Sequence, residues 1–130
     1  MKKLTGYMAG VNLGGWISQY RTFDHGYFKT FITEEDIKTI ASWGMDHIRL
    51  PVDYPLLEED ANPGVFLESG FAYIDNCLRW TKKYGLNLLI EVHRAPGYTL
   101  NSTANTLFSD KTMQDRFVAI WKAIVRRYRG

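Results

Sequence analysis

The sequence predicts an α/β fold, a parallel sheet with helices packed on its outer side, and three observations predict it. Short apolar stretches and longer segments of helical periodicity alternate three times, in the order βαβαβα, as expected of buried parallel strands between covering helices. Each connection from helix to strand is brief, Gly44-Met45 and Gly85, whereas each from strand to helix is long. A fold that lengthens only the loops after the C-terminal ends of its strands is placing function there. Asn12, Arg49 and His93 each fall at or beside the expected last residue of a strand, 37 and 44 positions apart. A repeat of about 40 residues is ordinary for the (β/α)8 TIM barrel, whose ~250 or more residues divide among eight units. Residues 1–130 are therefore expected to form one partial barrel of three units, ending where a fourth strand would begin.

Each element has a local reason. The first strand is expected in Met8–Leu13, ending at Gly14-Gly15, and Phe23–Phe31 reads as an aromatic, Gly-containing loop. Thr33-Glu-Glu-Asp36 is a capping-box start with acids in the first turn. Ile37, Ile40 and Ala41 then give one apolar face, and Gly44 offers a left-handed cap. Asp46–Leu50 reads as the second strand, stopped by Pro51. After the Asn62-Pro63-Gly64 loop, Phe71, Ile74, Leu78 and Thr81 stand at helical spacing up to Gly85. The third strand is expected over Leu86–His93, stopped by Pro96-Gly97. A polar loop, Asn101–Asn105, precedes a third helix from about Asp110 with Met113, Phe117, Ile120, Ile124 and Tyr128 on its face.

Composition narrows the function classes. With 45% hydrophobic and 23% charged residues the chain is globular, and 130 residues suit one domain. The formal net charge of +2 leaves no electrostatic footprint for nucleic acid or an acidic membrane. Arg126, Arg127 and Arg129 cluster at the expected end of the last helix, where they complement its dipole. Cys77 is the single cysteine, which rules out an internal disulfide and a multi-cysteine metal site, and it reads as a buried, inert thiol. Met1-Lys2-Lys3 is not followed by an apolar stretch, and no run is long enough to span a membrane. Cytoplasm is the default expectation, with secretion left open.

Chemistry concentrates at the strand ends. In Leu88–Tyr98, an apolar run closes on Glu91 and His93, two apart and so on one face of a strand. Charged groups in such an interior are costly unless paired. Arg49, in an apolar strand and unable to lose its charge, needs a carboxylate or anion; Glu91 is a nearby candidate, and carboxylates on barrel strands not among these residues are another. Asn12 and the Gly14-Gly15-Trp16 turn make the third element, with Trp16 either core filler or a sugar-stacking platform. Other chemistries lack their signatures. Gly10, Gly14 and Gly15 fit neither a dinucleotide nor a phosphate loop. His25, His47 and His93 lack metal-ligand spacing, so neither cofactor nor metal is expected.

Gly10-Val-Asn-Leu-Gly-Gly-Trp16, Ile32-Thr-Glu-Glu-Asp-Ile37, Gly44-Met-Asp-His-Ile-Arg-Leu-Pro51 and Val92-His-Arg-Ala-Pro-Gly97 occur in order over nearly the whole chain. Together they resemble the N-terminal part of glycoside hydrolase family 5, the cellulase and exo-β-1,3-glucanase group. The resemblance implies a retaining β-glycosidase barrel in which Arg49 supports the nucleophilic glutamate, His93 contacts the sugar in the −1 subsite, and Trp16 lies near the cleft. Asn12 and Trp16 join His93 as expected substrate-binding residues, with Arg49 and His93 in supporting catalytic roles. The family's two catalytic glutamates, about 5–5.5 Å apart in a retaining enzyme, lie on strands four and seven, the first in an Asn-Glu pair. That dipeptide does not occur in the sequence. Ile17-Ser-Gln-Tyr20 also lacks the glutamate of some exo-glucanase relatives, and Arg94 stands where small or polar residues are usual. Glu91 with Asp53 or Glu58 is a poor substitute for the catalytic pair, because Glu91 lies a pleat repeat, about 6.6 Å, below His93. The expectation is a glycoside hydrolase fragment for β-linked oligo- or polysaccharides, carrying one wall of the active site and inactive alone. A non-catalytic carbohydrate-binding module and an engineered self-assembling barrel fragment are the alternatives. Two open strand edges and exposed inner faces predict a homo-oligomer or pairing with a complementary C-terminal piece.

Overall fold

The computed structural model describes residues 3–130. In chain order the elements are β1 (Gly10–Asn12), α1 (His25–Thr30), α2 (Glu34–Ser42), β2 (His47–Asp53), α3 (Glu68–Lys83), β3 (Asn87–Arg94) and α4 (Lys111–Tyr128). Single 3-10 turns lie at Tyr54–Leu56 and Thr106–Phe108. The strands form one sheet in the order β1-β2-β3, with β1 parallel to β2. This is the α/β arrangement of successive strand–helix units expected from the sequence.

The chain divides into two compact units, one of Met1–Pro51 with Ala72–Glu91 and one of Val52–Phe71 with Val92–Gly130. In the first, Trp16, Ile17, Phe28, Ile37, Ile48 and Ile74 are at most 1% exposed and form its core. Cys77 is buried there, and burial pushes its thiol pKa up to about 12, which keeps it protonated and unreactive. In the second, Val52, Leu56, Leu57 and Ile120 are equally enclosed.

Several boundaries follow from chemistry the sequence displays. Asp36 closes the start of α2 by accepting from the Thr33 N–H at 2.8 Å and from its hydroxyl at 3.2 Å. Gly44 and Gly85, at φ +79° and +71°, adopt the left-handed conformation that ends α2 and α3. Asp110 caps α4 by accepting from the Thr112 N–H at 2.8 Å.

Three expectations are corrected. Within the stretch read as a loop, His25–Thr30 is a helix, capped by Asp24, whose carboxylate accepts from the Gly26 N–H at 2.8 Å. Pro51 does not stop β2, which runs on to Asp53 and therefore holds Arg49 at its third position rather than its end. Proline's missing donor forbids only the ladder bond at its own position. On α4, Met113 and Phe117 are half-buried, while Arg116, absent from the expected face, is buried with Ile120 and Ile124.

The close approach of α3 to the turn before it depends on one glycine. In the second unit, a Cβ on Gly70 would lie 1.6 Å from the Leu56 carbonyl oxygen. That atom is backbone and cannot rotate away. Gly70→Ala gains about 1 kcal/mol of helix propensity, but overpacking costs up to about 3 kcal/mol. A net loss of about 2 kcal/mol is expected in urea denaturation, and an unchanged midpoint would contradict this packing.

Candidate active site

Strand β1 is fixed at both of its ends. The Asp46 carboxylate accepts from the amides of Met8 (2.8 Å) and Ala9 (3.1 Å). A hydrogen bond from the His47 ring, with these amides, holds that carboxyl below the usual carboxylate range. The His47 ring packs over Gly10, where a Cβ would come within 2.4 Å of it. The register then sets Gly10 beside His47, Val11 beside Ile48 and Asn12 beside Arg49. Pairing extends one residue further, the Leu13 N–H donating to the Arg49 carbonyl at 3.0 Å.

On β2, Ile48 and Leu50 are fully buried while Arg49, between them, takes the other face and stays partly exposed. Its guanidinium donates to Asn12 Oδ1 at 3.2 Å and forms an ion pair with the Glu91 carboxylate. The expected Arg49–Glu91 partnership is therefore present, and Asn12 joins it. Both charged side chains are about one-third exposed, so the pair contributes at most about 1 kcal/mol to stability. Its value lies in orientation: a guanidinium has five donors, two are engaged here, and the two partners fix the plane in which the rest point.

Trp16 is part of the core. It is 1% exposed, its indole N–H donates to the Phe28 carbonyl at 2.7 Å, and its ring stacks on Trp80 at 6.5 Å. A sugar-stacking platform needs an open ring face, which Trp16 does not have. His93 is the penultimate residue of β3, half-buried, and belongs to the second unit, whereas Asn12, Arg49 and Glu91 belong to the first.

Sequence reasoning missed features of the loop after β1. A cavity of about 450 Å³ is lined there by Gly15, Gln19, Tyr20, Arg21, Thr22, Asp24 and Tyr27. Gln19 takes φ +59°, among the described residues the one non-glycine with positive φ, a backbone cost of about 1–3 kcal/mol that the surrounding structure must hold in place. The His25 ring shares a 2.6 Å hydrogen bond with the Tyr73 hydroxyl, whose pKa is raised by burial. No sequence spacing announces either feature. Among the described residues, no three His, Cys, Asp or Glu side chains converge as metal ligands.

In the second unit, Glu58 is fully buried and forms an ion pair with Arg116, which also bonds Asp60 at 2.9 Å. Glu58 is thus a structural acid held by a guanidinium and closed off from solvent.

The family profile described as Cellulase (glycosyl hydrolase family 5) matches residues 8–130. The chain is 52% identical over 126 residues to Endoglucanase C of Acetivibrio thermocellus, an alignment covering 96% of this chain and 37% of that protein. It is 39% identical over 130 residues to Cellodextrinase A of Ruminococcus flavefaciens, covering 98% of this chain and 38% of that one. Among solved structures, a glycoside hydrolase superposes with a TM-score of 0.77 at 27% identity, over 94% of this chain and 37% of its own. The chain thus spans somewhat more than a third of the length of these relatives, and by profile, sequence and fold together it belongs to the cellulases of glycosyl hydrolase family 5.

Proposed function

We propose that Asn12, Arg49 and Glu91, all of the first unit, belong to the active-site wall of a retaining β-glycoside hydrolase acting on β-glucans. The observation that carries the reading is the Arg49 guanidinium held by Asn12 and Glu91 with donors to spare. A cation oriented in this way lowers the pKa of a neighbouring carboxyl and keeps it ionised as a nucleophile. His93, on β3, is the group for a sugar hydroxyl. The two carboxyl groups of the displacement come from sequence beyond these residues, which alone do not turn over substrate. The names of the relatives, an endoglucanase and a cellodextrinase, support a β-glucan as the substrate.

Chain exchange tests this. In a chimera, residues 8–130, the span of the family match, replace the corresponding segment of Endoglucanase C. The expected result is carboxymethylcellulose hydrolysis by the chimera and none by the 130-residue chain. A folded chimera without activity would refute the reading.

A second feature concerns association. Trp43, Leu89, Val118 and Val125 are 40–60% exposed, which supports pairing through these apolar surfaces, with a second copy or with the complementary part of a barrel.

A further inference from the structure

The loop after β3 encloses a small polar pocket that the catalytic reading leaves unused. Its volume is about 190 Å³, and Tyr54, Arg94, Tyr98, Thr99, Ser102 and Asn105 line it, all within the second unit. That is the share of about six water molecules. The loop is built rather than slack. Ala95 and Tyr98 exchange backbone hydrogen bonds (3.2 and 2.9 Å) around Pro96-Gly97, with Gly97 at φ +72°, a turn of the Pro-Gly kind. Asn105 ties its two sides, Oδ1 accepting from the Thr99 N–H at 3.0 Å and Nδ2 donating to the Ser102 carbonyl at 3.1 Å.

Arg94 supplies the charge. Its guanidinium stacks over the Tyr54 ring at 5.6 Å, and among the described residues no carboxylate pairs with it. Tyr54 is itself enclosed and tied down: it is 8% exposed and its hydroxyl donates to Asp60 at 3.1 Å. Glu58, Arg116 and Asp60 together carry one net negative charge, but Asp60 has a 69% exposed side chain and already pairs with Arg116. Solvent screens that excess, and the Arg94 guanidinium keeps its own field. The hydroxyls of Tyr98 and Thr99 make no side-chain hydrogen bond among the described residues. Ser102 Oγ accepts from the Ala104 N–H at 3.1 Å and retains its proton to donate.

We propose that this pocket binds an acidic sugar residue, the carboxylate of a uronic acid meeting Arg94 and its ring hydroxyls meeting Tyr98, Thr99 and Ser102. A stacked guanidinium without an acid partner is the group that takes a carboxylate through two parallel N–H···O bonds. A hydroxyl-lined wall beside it matches a sugar better than a bare anion. Arg94 is then a specificity residue favouring glucans or xylans that carry acidic branches. The saccharide part rests on the glycosidase reading above, and the anion part rests on Arg94 alone.

The test titrates the 130-residue chain by calorimetry and by amide chemical shifts. The probes are a glucuronate-bearing oligosaccharide, its neutral counterpart of equal length, and inorganic sulfate. The acidic oligosaccharide should bind about tenfold tighter than the neutral one, the value of one charge-assisted pair. Shifts should concentrate in residues 94–105. In Arg94→Gln, an exposed change that leaves the fold intact by circular dichroism, the ratio should fall close to one. Arg94→Lys should restore part of it. Equal affinities in the unsubstituted chain, or a preference that survives Arg94→Gln, overturns the proposal. Sulfate binding as well as the acidic oligosaccharide would make the pocket a plain anion site and overturn the sugar assignment. Acidic preference with an inactive endoglucanase chimera would refute the glycosidase reading and leave the Arg94 site standing.

Discussion

Arg116→Met is expected to destabilise the protein by about 3–5 kcal/mol, because it strands a buried carboxylate. Glu58 is 0% exposed and accepts from Arg116 Nε at 2.8 Å. Its other oxygen, Oε2, accepts from the Gly64 N–H at 3.0 Å, which ties the Asn62-Pro63-Gly64 turn to the same charge. Burial works against the charge on Arg116, but the hydrogen bonds it donates to Asp60 and Glu58 outweigh it and hold its pKa above the usual arginine range. Removing the cation leaves Glu58 with neither water nor a counter-charge, and a single neutral N–H cannot offset that. A double variant, Glu58→Leu with Arg116→Leu, removes both charges and should recover most of the loss, since the Coulomb attraction of such a pair roughly repays its desolvation. Urea midpoints of the two variants decide the matter. A single variant within 1 kcal/mol of the parent would mean that water reaches Glu58.

That ion pair also marks the boundary of what the sequence discloses. Ile120 and Ile124 are visible as a core face by spacing, and Arg116 lies on the same stripe, four residues before Ile120. A lone arginine there reads as solvent-facing because its acids are 58 and 56 positions away, and no local pattern links them. The same physics explains what was legible. Thr33 with Asp36, Gly44, Gly85 and Asp110 act within a few residues of themselves, and the boundaries they predict are found. Helix α1 was hidden because His-Gly-Tyr-Phe-Lys-Thr has poor helical propensity, and the Asp24 cap and the burial of Phe28 decide it instead. Pro51 misled because a proline stops a strand only where its missing N–H is needed. At the candidate site, an arginine in an apolar strand requires a carboxylate or anion, which makes Glu91 one legible candidate beside acids on further strands, and the structure pairs it with Glu91. Trp16 could not be settled, since a tryptophan's role depends on which of its faces the rest of the fold covers.

Arg49→Lys in the endoglucanase chimera is expected to lower kcat/KM by about 10²–10³, the scale of losing one preorganised donor to developing charge. Lysine keeps the positive charge but loses the planar fork that Asn12 and Glu91 hold, so the loss measures orientation rather than charge. Arg49→Met removes both, and its signature lies in the pH profile. A neighbouring cation depresses a carboxyl pKa by about 1–3 units. Without it the nucleophile's pKa rises, and the acidic limb of kcat/KM moves to higher pH by about one unit or more. Glu91→Gln keeps a hydrogen-bond acceptor for Arg49 but drops the ion pair, so it should cost less than either and leave the limb in place or move it slightly lower. A residue that merely held β1, β2 and β3 together would change stability and leave the limb where it was. The direction of that limb therefore separates a guanidinium aimed at a reacting carboxylate from one that serves the sheet alone.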